Sequence, residues 1–177
     1  MDNWRCYLLM KLPICYFCAR TKVLCLKDLK RLEKGEISQL DVDISNELVL
    51  LKEKKYSSLD NLTFVRAHKS DNLLVLMVRN SDKLNRNILI KVSRDLERKG
   101  YGRVRFVEES AEPRKIVEQI VSPSRVLGVD ILWLPDGSSQ FTVRIPHRDA
   151  RRMPVKKEVA EDILTKLLGK YVRIVFL

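Results

Sequence analysis

The sequence predicts an α+β protein made of two copies of one small unit, in which helices pack on a three-stranded sheet. Its 177 residues are 45% hydrophobic and 32% charged, a composition typical of a folded globular chain. The order helix, strand, strand, loop, helix, strand occurs twice along the chain. Short valine–arginine phrases also recur in both copies. Together these observations indicate an internal duplication, with two sheets that each bury a helix layer.

The first copy is predicted to begin at Ser38, which precedes a helix and has Asp41 three residues later, as in a capping box. Apolar residues recur at helical spacing through this helix and form one face for the core. The remaining predicted elements are strands 62–68 and 73–79 joined by a polar turn, a polar loop 80–85, a helix over 86–99 and a strand over 103–108.

The second copy is predicted to begin at Pro113, a residue suited to the first turn of a helix. Ser122-Pro123-Ser124 ends that helix. A tight turn at 135–138 then joins two strands as a hairpin. The predicted elements are a helix over 114–121, strands 126–134 and 140–145, a basic turn, a helix over 154–168 and a strand over 171–176.

The recurring phrases give a first alignment of the two copies. Val78-Arg79 and Val143-Arg144 close the two hairpins, and the segments 104–107 and 172–175 form the two last strands. The distance from the first phrase to the second is 26 residues in one copy and 29 in the other. The three extra residues are predicted to lie in the basic turn.

The charge of the chain favours a polyanionic partner. The formal net charge is +11, although a basic surface that serves only solubility is the alternative. Cations concentrate at the basic turn, where a helix N-terminus adds free N–H groups, so the turn is predicted to hold phosphates of RNA. His147 either contacts RNA there or is an ordinary turn residue. The cations are Arg144, Arg148, Arg151, Arg152, Lys156 and Lys157.

Other polar and aromatic residues receive plainer interpretations. Trp133 is predicted to pack in the core rather than to stack on a base, and His68 has no identifiable partner. A second set of cations is interpreted as a solvated face, with an extended binding track as the alternative. That set is Arg94, Arg98, Lys99, Arg103 and Arg105.

No enzyme activity, small-molecule substrate or membrane partner is expected. The chain has two histidines and lacks the nucleotide-binding glycine loops and the hydrolase motifs GxSxG and HExxH. No apolar run approaches the ~20 residues that a spanning helix needs, and the first residues lack the cleavage site of a secretory signal. Met10 is an alternative start to Met1.

The cysteines predict a zinc site in the reducing cytoplasm. All four lie within the first 25 residues, whereas the cysteines of a disulfide framework spread through the fold. Cys15 and Cys18 form a CxxC pair, and Cys25 follows seven residues later. The fourth ligand could be Asp28 or Cys6. The alternative is a decayed zinc knuckle whose cysteines act as small hydrophobic residues.

The phrases SRVLGVDILWLPDGSSQFTVRIP and ILTKLLGKYVRIVF, within this element order, resemble tandem type II KH domains of archaeal NusA-like proteins. The resemblance covers residues 38–177, with the cysteine segment as a weaker extension. It implies a cytoplasmic RNA-binding factor in transcription elongation or termination. It also implies three parts: a helical, zinc-knuckle-like segment 1–36, a first KH domain 37–109 and a second KH domain 110–177.

The chain departs from the KH pattern at the loop that grips nucleic acid. KH domains use a GxxG loop there, whose glycines allow close approach of the backbone to phosphates. The corresponding segments here are 81–86 and 149–154, and neither contains glycine. Arginines in the second segment could substitute, because guanidinium groups bind phosphates bidentately. Two alternatives are a scaffold that docks on RNA polymerase and a KH protein of a ribosomal particle.

Overall fold

A computed structural model of the chain describes residues 10–177 and has an α+β architecture. The helices within this range are α1 (Tyr16–Thr21), α2 (Leu26–Glu33), α3 (Gln39–Lys54), α4 (Arg86–Leu96), α5 (Pro113–Val121) and α6 (Lys157–Leu168). The strands are β1 (Thr63–Ser70), β2 (Leu73–Arg79), β3 (Arg103–Glu108), β4 (Gly128–Trp133), β5 (Ser139–Ile145) and β6 (Val172–Phe176). Short 3₁₀ segments cover Ser57–Asn61, Ser81–Lys83 and His147–Arg152.

The strands form two three-stranded sheets with the same plan, in the orders β1-β2-β3 and β4-β5-β6. In each sheet the first two strands pair as an antiparallel hairpin, and the third lies parallel to the second. The predicted α+β class with two small sheets is therefore confirmed. We refer to α3–β3 as the first unit and to α5–β6 as the second.

The strand register corrects the alignment drawn from the valine–arginine phrases. Val104 of β3 pairs with Leu74, and Val172 of β6 pairs with Phe141. If Val104 and Val172 correspond, then Val143 corresponds to Leu76 rather than to Val78. The hairpin phrases are therefore two residues out of step. The connection before the last helix is longer in the second unit, with eleven residues (146–156) against six (80–85).

Local chemistry sets the helix ends, and two of the predicted ends were wrong. Ser38 and Asp41 form the expected capping box, with hydrogen bonds of 3.1 and 2.8 Å to each other's backbone N–H. Helix α4 ends at Leu96 rather than Lys99, and a π-type turn (Glu97–Tyr101) follows. Helix α6 begins at Lys157 rather than Pro154, because Lys156 has an extended backbone with ψ 148°.

Two hydrophobic cores share the first sheet. One face of β2 contributes Leu74, Leu76 and Val78 to the first core, where α3 and the segment 10–19 also pack. The opposite face contributes Leu73 and Val75 to the second core, with α5 and α6. Strand β2 is accordingly buried on both sides, and the two units are packed together through it.

The N-terminal segment belongs to the first core. Met10, Ile14 and Cys18 are buried there. On α3, the buried Asn46 donates a hydrogen bond of 2.6 Å to the carbonyl oxygen of Ala19 in α1. Cys6, one proposed fourth ligand, lies outside the described residues, and the boundaries at 36/37 and 109/110 stay predictions. No helix within residues 10–177 is long and apolar enough to cross a membrane.

Candidate functional sites

Three cysteines and one aspartate meet between α1 and α2. The Sγ atoms of Cys15, Cys18 and Cys25 and a carboxylate oxygen of Asp28 all lie within 4.8 Å of one another. Tetrahedral zinc with Zn–S bonds of about 2.3 Å requires sulfur atoms about 3.8 Å apart. The Cys15 and Cys18 sulfur atoms are 3.1 Å apart, so a small opening of this pair would fit them to zinc. The residues can therefore hold a metal ion.

The local hydrogen bonds explain why these side chains converge. Cys15 is the N-cap of α1 and Cys25 is the N-cap of α2, so both helices begin at the cluster. The buried Asp28 carboxylate accepts a hydrogen bond of 2.9 Å from the Cys15 backbone N–H. Arg31 donates to the carbonyl oxygen of Pro13 at 2.6 Å. Helix α2 is thereby fastened to the start of α1 through residues beside the cluster.

The ionisation of the cluster is uneven. Burial, with the neighbouring Cys15 thiol, raises the pKa of Cys18 to about 12. A hydrogen bond from the Asp28 backbone N–H lowers the pKa of the exposed Cys25. Burial alone would raise the pKa of Asp28, but the Cys15 N–H and the surrounding thiols outweigh it, so the pKa of Asp28 is lowered. The cluster therefore combines groups that ionise readily with a thiol that keeps its proton.

The basic turn, residues 146–156, is fixed at its start and in its middle. The His147 backbone N–H donates to the carbonyl oxygen of Leu177 at 2.6 Å, which ties the turn to the end of β6. The buried Asp149 carboxylate accepts a 3.2 Å hydrogen bond from the Arg125 N–H. The Ser124 hydroxyl donates to the Asp149 carbonyl oxygen at 3.0 Å. The predicted turn thus contains a 3₁₀ helix that is held against the loop after α5.

The arginines of this 3₁₀ helix point outward. Arg148 and Arg151 are exposed, and neither forms an ion pair with another described residue. With His147 and Ala150 they line a shallow cleft of about 360 Å³. Arg152 lies 3.6 Å from the Asp149 carboxylate and is partly neutralised by it. The structure therefore brings His147, Arg148 and Arg151 together at one cleft.

The other predicted phosphate-binding residues have different neighbours. Arg144 forms an ion pair of 2.8 Å with Asp130 on the adjacent strand. Lys157 lies 3.8 Å from Glu161 and 5.9 Å from the centre of the Phe176 ring. Lys156 is exposed beside a groove of about 220 Å³ between the two units, where Arg103 donates to the carbonyl oxygen of Pro154. These three cations therefore contact residues outside the 3₁₀ helix that carries Arg148 and Arg151.

In the corresponding turn of the first unit, the backbone is bound by the side chain of Glu108, a contact that was not predicted from the sequence. The backbone N–H groups of Asn80 and Ser81 donate to the Glu108 carboxylate at 2.9 and 3.0 Å. Glu108 ends β3, far from this turn in sequence, and only the parallel pairing of β2 with β3 brings them together. Beside them, Arg86 lines adjoining grooves of about 560 and 430 Å³. Short-range sequence patterns could not have predicted this contact.

Two interpretations of individual residues were wrong. Trp133 is 70% exposed rather than packed in the core, because it lies on an edge strand beyond the covering helices. Arg105 is not a solvated cation: its guanidinium group donates to the carbonyl oxygens of Gln119, Ile120 and Ser122 at the end of α5. His68 is half-buried, and burial lowers its pKa.

The protein is an α+β chain with two three-stranded mixed sheets. Its similarity to known proteins is structural. No family model and no curated protein matches the chain. A solved structure titled "Crystal structure of APE1850" is similar, with a TM-score of 0.53 and 16% sequence identity. The match covers 73% of this chain and 96% of that one. At this identity the likeness concerns the fold.

Proposed function

We propose that this protein binds RNA and that its two units are tandem type II KH domains without GxxG loops. The repeated order of helices and strands, the net charge of +11 and the resemblance to NusA-like proteins support the proposal. The inferred role is in transcription elongation or termination in the cytoplasm. The phosphate backbone would be held by the arginines of the basic turn, with Arg144, Lys156 and Lys157 around them.

The observation that carries this proposal is that acidic and basic side chains of the 3₁₀ helix point in different directions. Asp149 faces inward and anchors the segment, while Arg148 and Arg151 face solvent without an acidic partner among residues 10–177. Unpaired guanidinium groups on a fixed backbone lose little freedom when they bind phosphates. An ordinary solvated surface has no need of such an anchor.

The test replaces Arg148 and Arg151 together by Ala and measures the affinity for single-stranded RNA as a function of salt. Removing two phosphate contacts should reduce the slope of log K against log salt by about 1.4. The matched control is Arg114→Ala with Lys115→Ala on α5, which removes the same charge from residues paired with Glu118 and Glu112. The control should change the slope far less.

Equal slopes for the two double variants would contradict a specific phosphate site. Association with RNA polymerase that survives nuclease treatment, with unchanged RNA affinity, would instead indicate the scaffold function. Co-sedimentation with ribosomal subunits would indicate the ribosomal alternative.

We also propose that the cluster beside α1 and α2 holds Zn²⁺ through the thiolates of Cys15, Cys18 and Cys25, with Asp28 as the fourth ligand. The mutual separation of the four ligand atoms supports this assignment. Zinc held here would join the first turns of α1 and α2 and stabilise the segment that packs on α3.

Zinc affinity should depend strongly on pH. The pKa of Cys18 is raised, so this thiol is protonated at neutral pH and must release its proton when metal binds. Affinity should therefore fall as pH is lowered, by about tenfold per pH unit for each proton released. Titration with Co²⁺ followed by its thiolate absorption measures this, with Cys18→Ser as the negative control. A purified chain that takes up no metal at pH 8 would support the decayed knuckle.

A further inference from the structure

The two sheets have four outer edges, and three of them have backbone N–H groups bound by other parts of the chain. On β1, Phe64 N–H donates to the Lys11 carbonyl oxygen and Ala67 N–H to the Asp41 carboxylate. On β3, Val104 N–H donates to Glu97. On β6, Ile174 N–H donates to Glu161. Such contacts block the addition of another strand.

Strand β4 is the exception among the described residues. Its backbone hydrogen bonds go to β5, and no side chain or segment within residues 10–177 binds its outer edge. Three consecutive apolar side chains at its end are about half exposed or more: Ile131, Leu132 and Trp133. An open edge with apolar residues on both faces is a template for pairing with another strand.

We propose that β4 pairs antiparallel with β4 of a second copy of this chain about a two-fold axis at Ile131, which forms a continuous six-stranded sheet. This inference goes beyond RNA binding and does not depend on it. A two-fold interface requires one surface to complement itself, and a single strand edge meets that requirement when its register suits both copies.

The register follows from the side-chain alternation. Residues directly opposite each other in an antiparallel pair point their side chains to the same face of the sheet. The two-fold axis must therefore pass through a residue of β4, because an axis between two residues would oppose side chains that point to different faces. An axis at Asp130 would place two carboxylates opposite each other. An axis at Leu132 would bring in Pro135, which has no N–H for the ladder. The axis at Ile131 avoids both, because it opposes Ile131 to itself, Trp133 to Val129 and Leu132 to Asp130.

Charge favours the same register. A chain of net charge +11 repels its own copies, so the charges near the paired strands matter, and one cation, Lys170, lies there with its Nζ 5.9 Å from the centre of the Trp133 ring. The one charged residue of β4, Asp130, is already paired with Arg144 at 2.8 Å. Beyond the strand, the Ile131 axis brings the turn 135–138 of one copy, which contains Asp136, towards the segment before β4 of the other, which contains the exposed Arg125. Each copy would then supply one acidic and one basic residue, at both ends of the paired strands.

The test measures the molar mass of nuclease-treated protein by sedimentation, for the original chain and for Ile131→Glu and Ile131→Lys. The original chain should form dimers, and each variant alone should be monomeric, because like charges meet on the axis. An equimolar mixture of the two variants should form dimers again, since Glu and Lys then face each other. Restoration by mixing excludes misfolding as the cause of dissociation.

The matched control is Leu26→Glu, a charge placed on another exposed aliphatic residue outside β4, which should leave the dimer unchanged. The proposal is overturned if the original chain stays monomeric at about 1 mM, or if Ile131→Glu and Ile131→Lys both remain dimeric alone. A monomeric chain whose Ile131→Glu variant loses RNA affinity would overturn it too, and would assign the edge to nucleic acid.

Discussion

The turns that precede α4 and α6 occupy the same place in two similar units, yet an acidic side chain has a different part in each. In the first unit the carboxylate of Glu108 binds the N–H groups of Asn80 and Ser81, so the protein supplies its own anion. In the second unit Asp149 anchors the segment from within, and Arg148 and Arg151 remain free for an external anion. The difference teaches that a repeated fold does not imply a repeated site. If the second turn binds phosphates as proposed, the difference between the two turns lies in which backbone and side-chain groups Glu108 and Asp149 contact.

The largest effect should follow from loss of the anchor in the second turn. Asp149→Ala removes a buried carboxylate and leaves the partly buried Arg125 N–H without its acceptor, so the free energy of unfolding should fall by about 1–3 kcal/mol. RNA affinity should fall as well, because Arg148 and Arg151 lose their fixed backbone. Urea denaturation and RNA titration measure the two effects. The control Arg152→Ala removes a largely exposed partner and should cost less than about 0.5 kcal/mol.

If Asp149→Ala kept full stability but lost RNA affinity, Asp149 would not be the structural anchor that distinguishes the second turn from the first. It would mean that Asp149 positions Arg148 and Arg151 without contributing to the stability of the fold, because loss of its negative charge would by itself strengthen phosphate binding.

A smaller effect should follow from Glu108→Gln in the first turn. Gln offers one carbonyl oxygen where the carboxylate accepts two N–H groups, so stability should fall by about 1 kcal/mol. The substitution also removes a negative charge beside Arg86, so RNA affinity should rise slightly. Glu109→Gln is the matched control, because it makes the same charge change at the neighbouring residue, whose partner is Arg79. Equal effects of the two substitutions would show that Glu108 does not close the first turn.

The contrast between the turns also shows what the sequence could predict. Local signals were sufficient for the two hairpins, the capping box at Ser38 and the α+β class, because each depends on residues close in sequence. The cysteine cluster was found in the same way, through short spacings from Cys15 to Asp28. The arginines of the second turn were found because they lie within five residues of one another, at 148, 151 and 152.

Contacts between distant segments could not be predicted from these patterns. Glu108 reaches the first turn only through the pairing of β3 with β2, and Asp149 is buried only because the loop after α5 covers it. Trp133 was misplaced for the same reason, since alternation along a strand does not reveal that the strand lies at an edge of its sheet with its last four residues exposed. The sequence shows that the second turn is more basic than the first, but it does not show which backbone N–H groups Glu108 and Asp149 bind.

The smallest effect is expected for Arg86→Ala, the cation beside the closed first turn. If Glu108 already satisfies that turn, phosphates have little reason to bind there, and RNA affinity should change by less than about threefold, which is less than about 0.7 kcal/mol. Arg151→Ala, which removes one arginine of the basic turn in the second unit, should weaken binding more and reduce the salt slope by about 0.7. Both are exposed arginines in or beside the connection that leads to the last helix of their unit, so the pair is matched in charge and surroundings. A larger loss with Arg86→Ala would reverse the comparison and move the phosphate site to the grooves beside α4.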